Sequence, residues 1–549
     1  MFVSKKTAVA ALLLTASCAA DQAAESARPE GQGAVAATSS VTTTEDYREA
    51  EEMMPAAPAP MAKRESRDDA EKSRDVSTRQ DGAAVPAKSA PSDAPEPEAQ
   101  TGEEYTDYGV NKATKTSEDR FSTFSIDVDT GAYTIARRKL NEGQRPNKAG
   151  VRVEEFVNFF GYDYPSPDRG AFGVHMEAAS SPFTAKNDTY LLRIGVQGKR
   201  ISSAERKPIH LTFLVDVSGS MSDQDKLPLA QESLKILTNS LREGDTVALA
   251  TYAGRVAEIL PPTGVERKSE IMQAIDNLQS GGGTGMNSGM ELAYKLALTN
   301  YQKDHVNRVI VLSDGDANIG PMSHQDIIAN IQKYVEEGVT LSTIGLGMGN
   351  YKDTMMEQLA NKGNGNYYYV DSRKEALRVF GEQVDGTLQV IAKDVKIQVE
   401  FDPEVVPEYR LIGYENRDIA DKDFRDDKVD AGEIGAGHTV TALYEIKMKK
   451  GAKRKLATVR VRHKQPDGYK ATEQAFELTD ADVRARVADA SKDFQFAAAV
   501  AAFAEILRES PYAKNISLDL VEEIAKASAG NREDRKEFLG LIKKARRVI

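Results

Sequence analysis

Asp216, Ser218 and Ser220 stand at alternate positions in the stretch Leu211-Thr-Phe-Leu-Val-Asp-Val-Ser-Gly-Ser-Met221. That spacing puts one carboxylate and two hydroxyls on one short loop. Hard divalent cations such as Mg²⁺ take oxygen ligands of this kind. The apolar, β-branched run before the cluster reads as a strand buried on both faces, as in a parallel sheet covered by helices. The cluster then sits just past the strand's carboxyl end, where open α/β sheets bind ligands.

Other chemistry is thinner. Asp314 and Asp316 follow an apolar run in Ser313-Asp314-Gly315-Asp316. Two acids and two serines near a metal would allow phosphoryl or ester hydrolysis. No base is placed to activate either serine, so a metal-dependent hydrolase stays an alternative and the chain reads as a non-enzyme. Gly345-Leu-Gly-Met-Gly349 follows a strand but lacks dinucleotide-loop spacing, and reads as a Gly-rich strand exit. The six histidines are scattered without zinc spacing. Asp127 and Asp129 lack the acidic, Gly-containing loop of a calcium site, and read as a strand end plus a helix cap. Net charge is −12 with no basic stripe, which argues against a nucleic-acid surface.

The elements that must position Asp216 alternate from 209 to 386, the signature of an α/β, doubly wound, mostly parallel sheet. Strands are expected at His210–Val217, Thr246–Tyr252, Val256–Leu260 (closed by Pro261-Pro262), Arg308–Leu312, Thr340–Leu346 and Asn366–Val370. Helices are expected at Lys226–Leu241, Arg267–Leu278, Met290–Leu298, Gln325–Glu336, Asp353–Asn361 and Arg373–Gly386.

The flanks differ in kind. Lys5 and Lys6 precede a short apolar segment and then Cys18, the pattern of a secretory signal. Cys18 is the only cysteine, so no intramolecular disulfide can form. Leu14-Thr-Ala-Ser17 before it resembles a bacterial lipobox, with Thr15 where Leu is usual. The resemblance implies cleavage and lipidation at Cys18, and Ala19-Ala20 then favours the outer membrane of a diderm bacterium. Residues 19–118 read as a disordered linker, the Ala-, Pro- and Glu-rich part having too few apolar residues to offset ordering entropy. Residues 119–208 read as an N-terminal extension of helices and strands, 387–480 as a β-rich, sandwich-like domain and 481–549 as helical. Strands from 172 to 196 are expected to pair with those after 387, so the α/β segment is inserted in a body built from both flanks.

Asp216-Val-Ser-Gly-Ser220, the Gly-flanked Thr284 and Asp314-Gly315 together resemble the three-part metal-ion-dependent adhesion site of von Willebrand factor type A domains. The arrangement, with Phe-Ser-Ile-Asp-Val-Asp at 124–129, is similar to bacterial type A lipoproteins carrying a C-terminal domain of unknown function. The resemblance implies a metal set of Asp216, Ser218, Ser220, Thr284 and Asp314 holding Mg²⁺, with Mn²⁺ or Ca²⁺ as substitutes. A coordination position left open would take an Asp or Glu carboxylate from a protein partner. The expected function is adhesion or protein binding at the cell envelope, through a lipid-anchored chain. A scaffold for assembly of an envelope complex is the alternative within the same class.

Overall fold

The computed structural model describes residues 102–549 other than 185, 187, 203, 284, 316–323, 350 and 450–454. The signal, Cys18 and the linker up to residue 101 lie outside the described residues, as do Thr284 and Asp316.

Every residue of the strand Ile209–Asp216 is buried, as its unbroken apolar run requires. It lies inside a six-stranded sheet, in the order Tyr367–Tyr369, Thr340–Gly345, Val306–Ser313, Ile209–Asp216, Thr246–Tyr252 and Ala257–Gly264. All neighbours are parallel except the last pair. Helices cover both faces. Leu234, Leu237, Ile271 and Val379 pack with Phe213 and Val215 on one side, while Met290, Ala293, Ile331 and Met356 pack with Leu214 on the other. The strand's neighbours follow it at 246 and 306, so chain connections leave it in both directions. The crevice that opens at such a switch point lies at Asp216.

Two expectations need correction here. The edge strand runs through Pro261 and Pro262 to Gly264 and is not closed by them. Both prolines fall where the register with Thr246–Tyr252 shifts, between the Leu249↔Leu260 and Val247↔Thr263 pairs. An edge strand with a bulge there tolerates residues that cannot donate. The last helix is not continuous. It is α-helical over Arg373–Leu377, takes a π turn over Arg378–Glu382 and resumes at Val384–Leu388.

The flanking body is a sandwich of two sheets. One runs Thr114–Lys115, Glu408–Ile412, Thr439–Lys447, Thr189–Gly198, Phe172–Ser180 and Val483–Arg484. Its centre pairs strands from before and after the α/β segment, Thr189 to Lys447 and Thr439 to Gln197. The other carries Gly432–Gly435, Val390–Phe401, Ala457–Lys464 and Ala471–Leu478, with Phe121–Ser125 paired to Val390–Phe401. Phe124, Leu192, Ile397, Tyr444 and Val459 fill the space between the sheets.

Helices Lys492–Leu507, Leu518–Ser528 and Glu533–Ala545 close the chain. They share a core with the early helices Gly131–Asn141 and Val153–Phe159. Phe160 stacks edge-on against Phe496 and Phe538, at 4.9 and 5.6 Å between ring centres. No helix among the described residues is long and apolar enough to cross a membrane.

Residues 102–118, expected to belong to the linker, are laid across the body instead. Lys139 pairs with Glu103 at 2.8 Å, Asn111 donates to the Gly413 carbonyl at 2.8 Å, and Thr114 pairs with Tyr409 as an edge strand. Their polarity hides this, because ion pairs and backbone bonds do much of the anchoring, with Tyr105 the aromatic that packs against the core.

Candidate metal centre

Asp216 ends the central strand with its side chain fully buried. Its Oδ1 accepts from the Ser218 N–H at 2.9 Å and its Oδ2 from the Ser313 hydroxyl at 3.1 Å. Burial pushes the Asp216 carboxyl above its ordinary pKa, against the pull of the Ser218 hydrogen bonds; the Asp314 charge adds to the rise. The Ser218 and Ser220 hydroxyls share a proton at 2.9 Å. Gly219 lies between them and donates its N–H to the Gly282 carbonyl at 3.1 Å, while Gly281 donates to the Val217 carbonyl at 2.7 Å. These bonds zip the glycine loop onto the first loop. Gly282 has φ +88°, and a Cβ there would stand 3.1 Å from the Gly254 nitrogen. Only glycine lets the backbones approach so closely. Thr284, which follows this loop in sequence, is outside the described residues.

Asp314 follows the neighbouring strand Val306–Ser313 and is 3% exposed. The Lys226 ammonium donates to its Oδ2 at 3.0 Å. Ser313 links the two halves: its hydroxyl donates to Asp216 and accepts the Gly315 N–H at 3.0 Å. Tyr252, at the end of the strand on the other side, has a buried hydroxyl with no hydrogen-bond partner. The charges of Asp216 and Asp314 are both felt there, adding to the burial that raises its pKa.

Asp216, Ser218, Ser220 and Asp314 are thus brought together at one end of the sheet from loops about a hundred residues apart. The donor set is all oxygen, from carboxylates and hydroxyls, and among the described residues no ammonium or guanidinium pairs with the buried Asp216 acid. An orphaned tyrosine hydroxyl lies beside it. Those features fit a hard divalent cation. Among the described residues no histidine hydrogen-bonds either serine hydroxyl.

Three residues escaped the sequence reading. Ser313 carried a signal, since it immediately precedes Asp314. Tyr252 and Lys226 carried none, as an apolar strand end and a helix start.

Comparison with known proteins gives the domains to which these segments are similar. Residues 210–383 match the von Willebrand factor type A domain, and 99–193 match a further von Willebrand factor model. Residues 386–548 match the C-terminal domain of the uncharacterized protein YfbK. That protein from Escherichia coli is 38% identical to this chain over 470 residues, covering 80% of each. The chain belongs to the YfbK family. The human inter-alpha-trypsin inhibitor heavy chain H3 is 25% identical over 267 residues, 44% of this chain and 29% of that protein. A solved von Willebrand factor type A protein from Catenulispora acidiphila covers 70% of this chain and 91% of its own, at 15% identity and a TM-score of 0.41. This YfbK-family chain joins a type A domain to flanks that fold together.

Proposed function

We propose that this YfbK-family protein binds a protein partner non-enzymatically, through a divalent cation held by Asp216, Ser218, Ser220, Thr284 and Asp314. The observation that carries this reading is the convergence of Asp216, both serines and Asp314 at the carboxyl end of the central strand. A Mg²⁺ bound there supplies a Lewis-acid position for a carboxylate from outside. The chain's own residues do the rest. Ser313 fixes Asp216 from one side and the Ser218 N–H from the other, so the carboxylate is oriented before any ion arrives. The loop contact from Gly219 to Gly282 sets the distance between the first and second ligand loops. The type A domain's general association with protein interaction supports the reading, and the lack of a histidine on either serine among the described residues weighs against hydrolysis.

The same proposal includes anchoring at the envelope through a lipidated Cys18, supported by its place after the signal-like segment. Labelling cells with a fatty-acid analogue should mark the wild-type chain and not Cys18→Ser.

Capture of envelope proteins on the immobilised full chain tests the metal reading. At least one partner should be held in Mg²⁺ and released by EDTA, and Asp216→Ala should fail to hold it. Retention of every partner after both treatments would sink the metal bridge.

A further inference from the structure

Lys226 is 9% exposed and its ammonium sits 3.0 Å from Asp314 Oδ2. It is built into this place. Its stem lies across Gly347, whose φ is +66°, and a Cβ there would stand 2.4 Å from Lys226 Cε and 2.5 Å from its Cγ. The Gly345-to-Gly349 strand exit therefore has a use: its middle glycine is the floor over which the lysine reaches Asp314. The neighbouring Asp225 is held by Arg138 at 2.5 Å. Arg138 also donates to the Tyr369 hydroxyl at 3.1 Å, and that hydroxyl donates to the Gly347 carbonyl at 2.5 Å. The floor and the entry of the lysine are thus tied to one arginine of the N-terminal extension.

The charges of the site follow. Among the described residues of the site, Asp216 and Asp314 bring two negative charges and Lys226 one positive. Without an ion the set carries one net negative charge. A divalent ion takes it to one net positive charge, and one carboxylate from outside brings it to neutrality. With no lysine, the ion alone would already neutralise the two acids. We propose that Lys226 is a built-in counter-cation that weakens binding of a divalent ion alone and makes the loaded site demand an added carboxylate. This deepens the metal reading above and rests on it. The lysine is a positioning and charge-setting residue, and metal loading and carboxylate capture become coupled through it, each favouring the other.

The test is calorimetric titration of the metal-stripped full chain with Mn²⁺, in chloride and in acetate of equal ionic strength, corrected for Mn²⁺–acetate association. Lys226→Met keeps the stem and removes the charge; Lys226→Arg keeps the charge. In chloride, Lys226→Met should bind Mn²⁺ about tenfold more tightly than wild type, the effect of removing one cation a few ångströms from a divalent ion in a watery mouth. Acetate should tighten Mn²⁺ binding to wild type and to Lys226→Arg, and should leave Lys226→Met unchanged. Equal chloride affinities for wild type and Lys226→Met, with Mn²⁺ bound by both, would overturn the role of the lysine and leave the metal site standing. Absence of Mn²⁺ binding in every protein would overturn both. Should Lys226→Met fail to fold, the acetate effect on wild type decides alone: no tightening there overturns the proposal.

Discussion

Asp216 shows what a buried acid costs its own fold. Its carboxylate is buried with hydrogen-bond donors but no cation against it, and its pKa is raised. A raised carboxyl favours the fold below the unfolded pKa, and that contribution is lost as pH rises through the folded value. Above that folded value the ionised Asp216 therefore destabilises the metal-free chain. Asp216→Asn keeps an acceptor for the Ser218 N–H and should raise metal-free stability by about 1 kcal/mol in urea melts, while abolishing stabilisation by Mg²⁺. His438 works with the opposite sign. Burial first, then the Arg378 and Arg308 charges, lower its pKa to about 4. Its contribution is whole above the usual histidine value of about 6.5 and is lost as pH falls through about 4. Between pH 7 and 4.5 the wild type should lose about 2 kcal/mol more than His438→Gln, measured by urea unfolding at each pH. Asp216, Ser218, Ser220 and Asp314 were legible because their types and spacing are local. Lys226 was not, because a lysine at a helix start reads as a solvated residue until the distant Gly347 is seen beneath it.

At the scale of elements, strand periodicity located nearly every strand of both bodies. The strand Thr246–Tyr252 came out with its bounds unchanged. The errors fell where a neighbour overrides local chemistry. Pro261 and Pro262 are strand breakers by type, yet a bulge at an open edge absorbs them. Thr130, a residue type that caps helices, precedes the helix Gly131–Asn141 but makes no side-chain cap, and its hydroxyl accepts from Arg378 at 3.3 Å instead. The break in the last helix of the type A domain lies beside close backbone packing: a Cβ on Gly435 would stand 1.7 Å from the Gly386 carbonyl oxygen. The Ala-rich helix Lys492–Leu507 faces the larger sandwich sheet across a cavity of about 270 Å³, lined by Ala498, Ala501, Leu191, Ile412 and Leu443 among others. Small side chains let the helix lie close but leave that space unfilled. Ala501→Leu should fill part of it and raise stability by about 1 kcal/mol, read as a higher urea midpoint at unchanged slope.

At the scale of the whole molecule, three bodies are held by a buried ionic seam. Arg417 reaches Asp127 at 3.1 Å and Asp129 at 3.0 Å, and the other Asp129 oxygen accepts the Tyr367 N–H at 2.8 Å. Arg152 pairs with Asp353 at 2.5 Å, and Arg137 with Asp371 at 2.6 Å and Glu375 at 2.9 Å. Each of these pairs joins the N-terminal extension to a segment more than two hundred residues later. The Phe-Ser-Ile-Asp-Val-Asp element is therefore more than a strand end and a cap: its two acids clamp the sandwich to the edge of the α/β sheet. No reading of local pattern could show this, because the partner arginine is 288 residues from Asp129. Breaking a buried pair leaves charges unpaired, so Arg417→Met should cost about 3–5 kcal/mol in denaturant unfolding. The triple variant that also replaces Asp127 and Asp129 by Asn should recover part of that loss.

The chain enters the α/β segment and leaves it at the same place: the Lys207 N–H donates to the Gln389 side chain at 3.0 Å. Both connections thus meet near the amino end of the strand Ile209–Asp216, and the candidate metal loops lie at its other end. A pull on those loops would pass down the strand's own covalent backbone to Lys207, while the parallel neighbours bonded along its length on each side hold it in line.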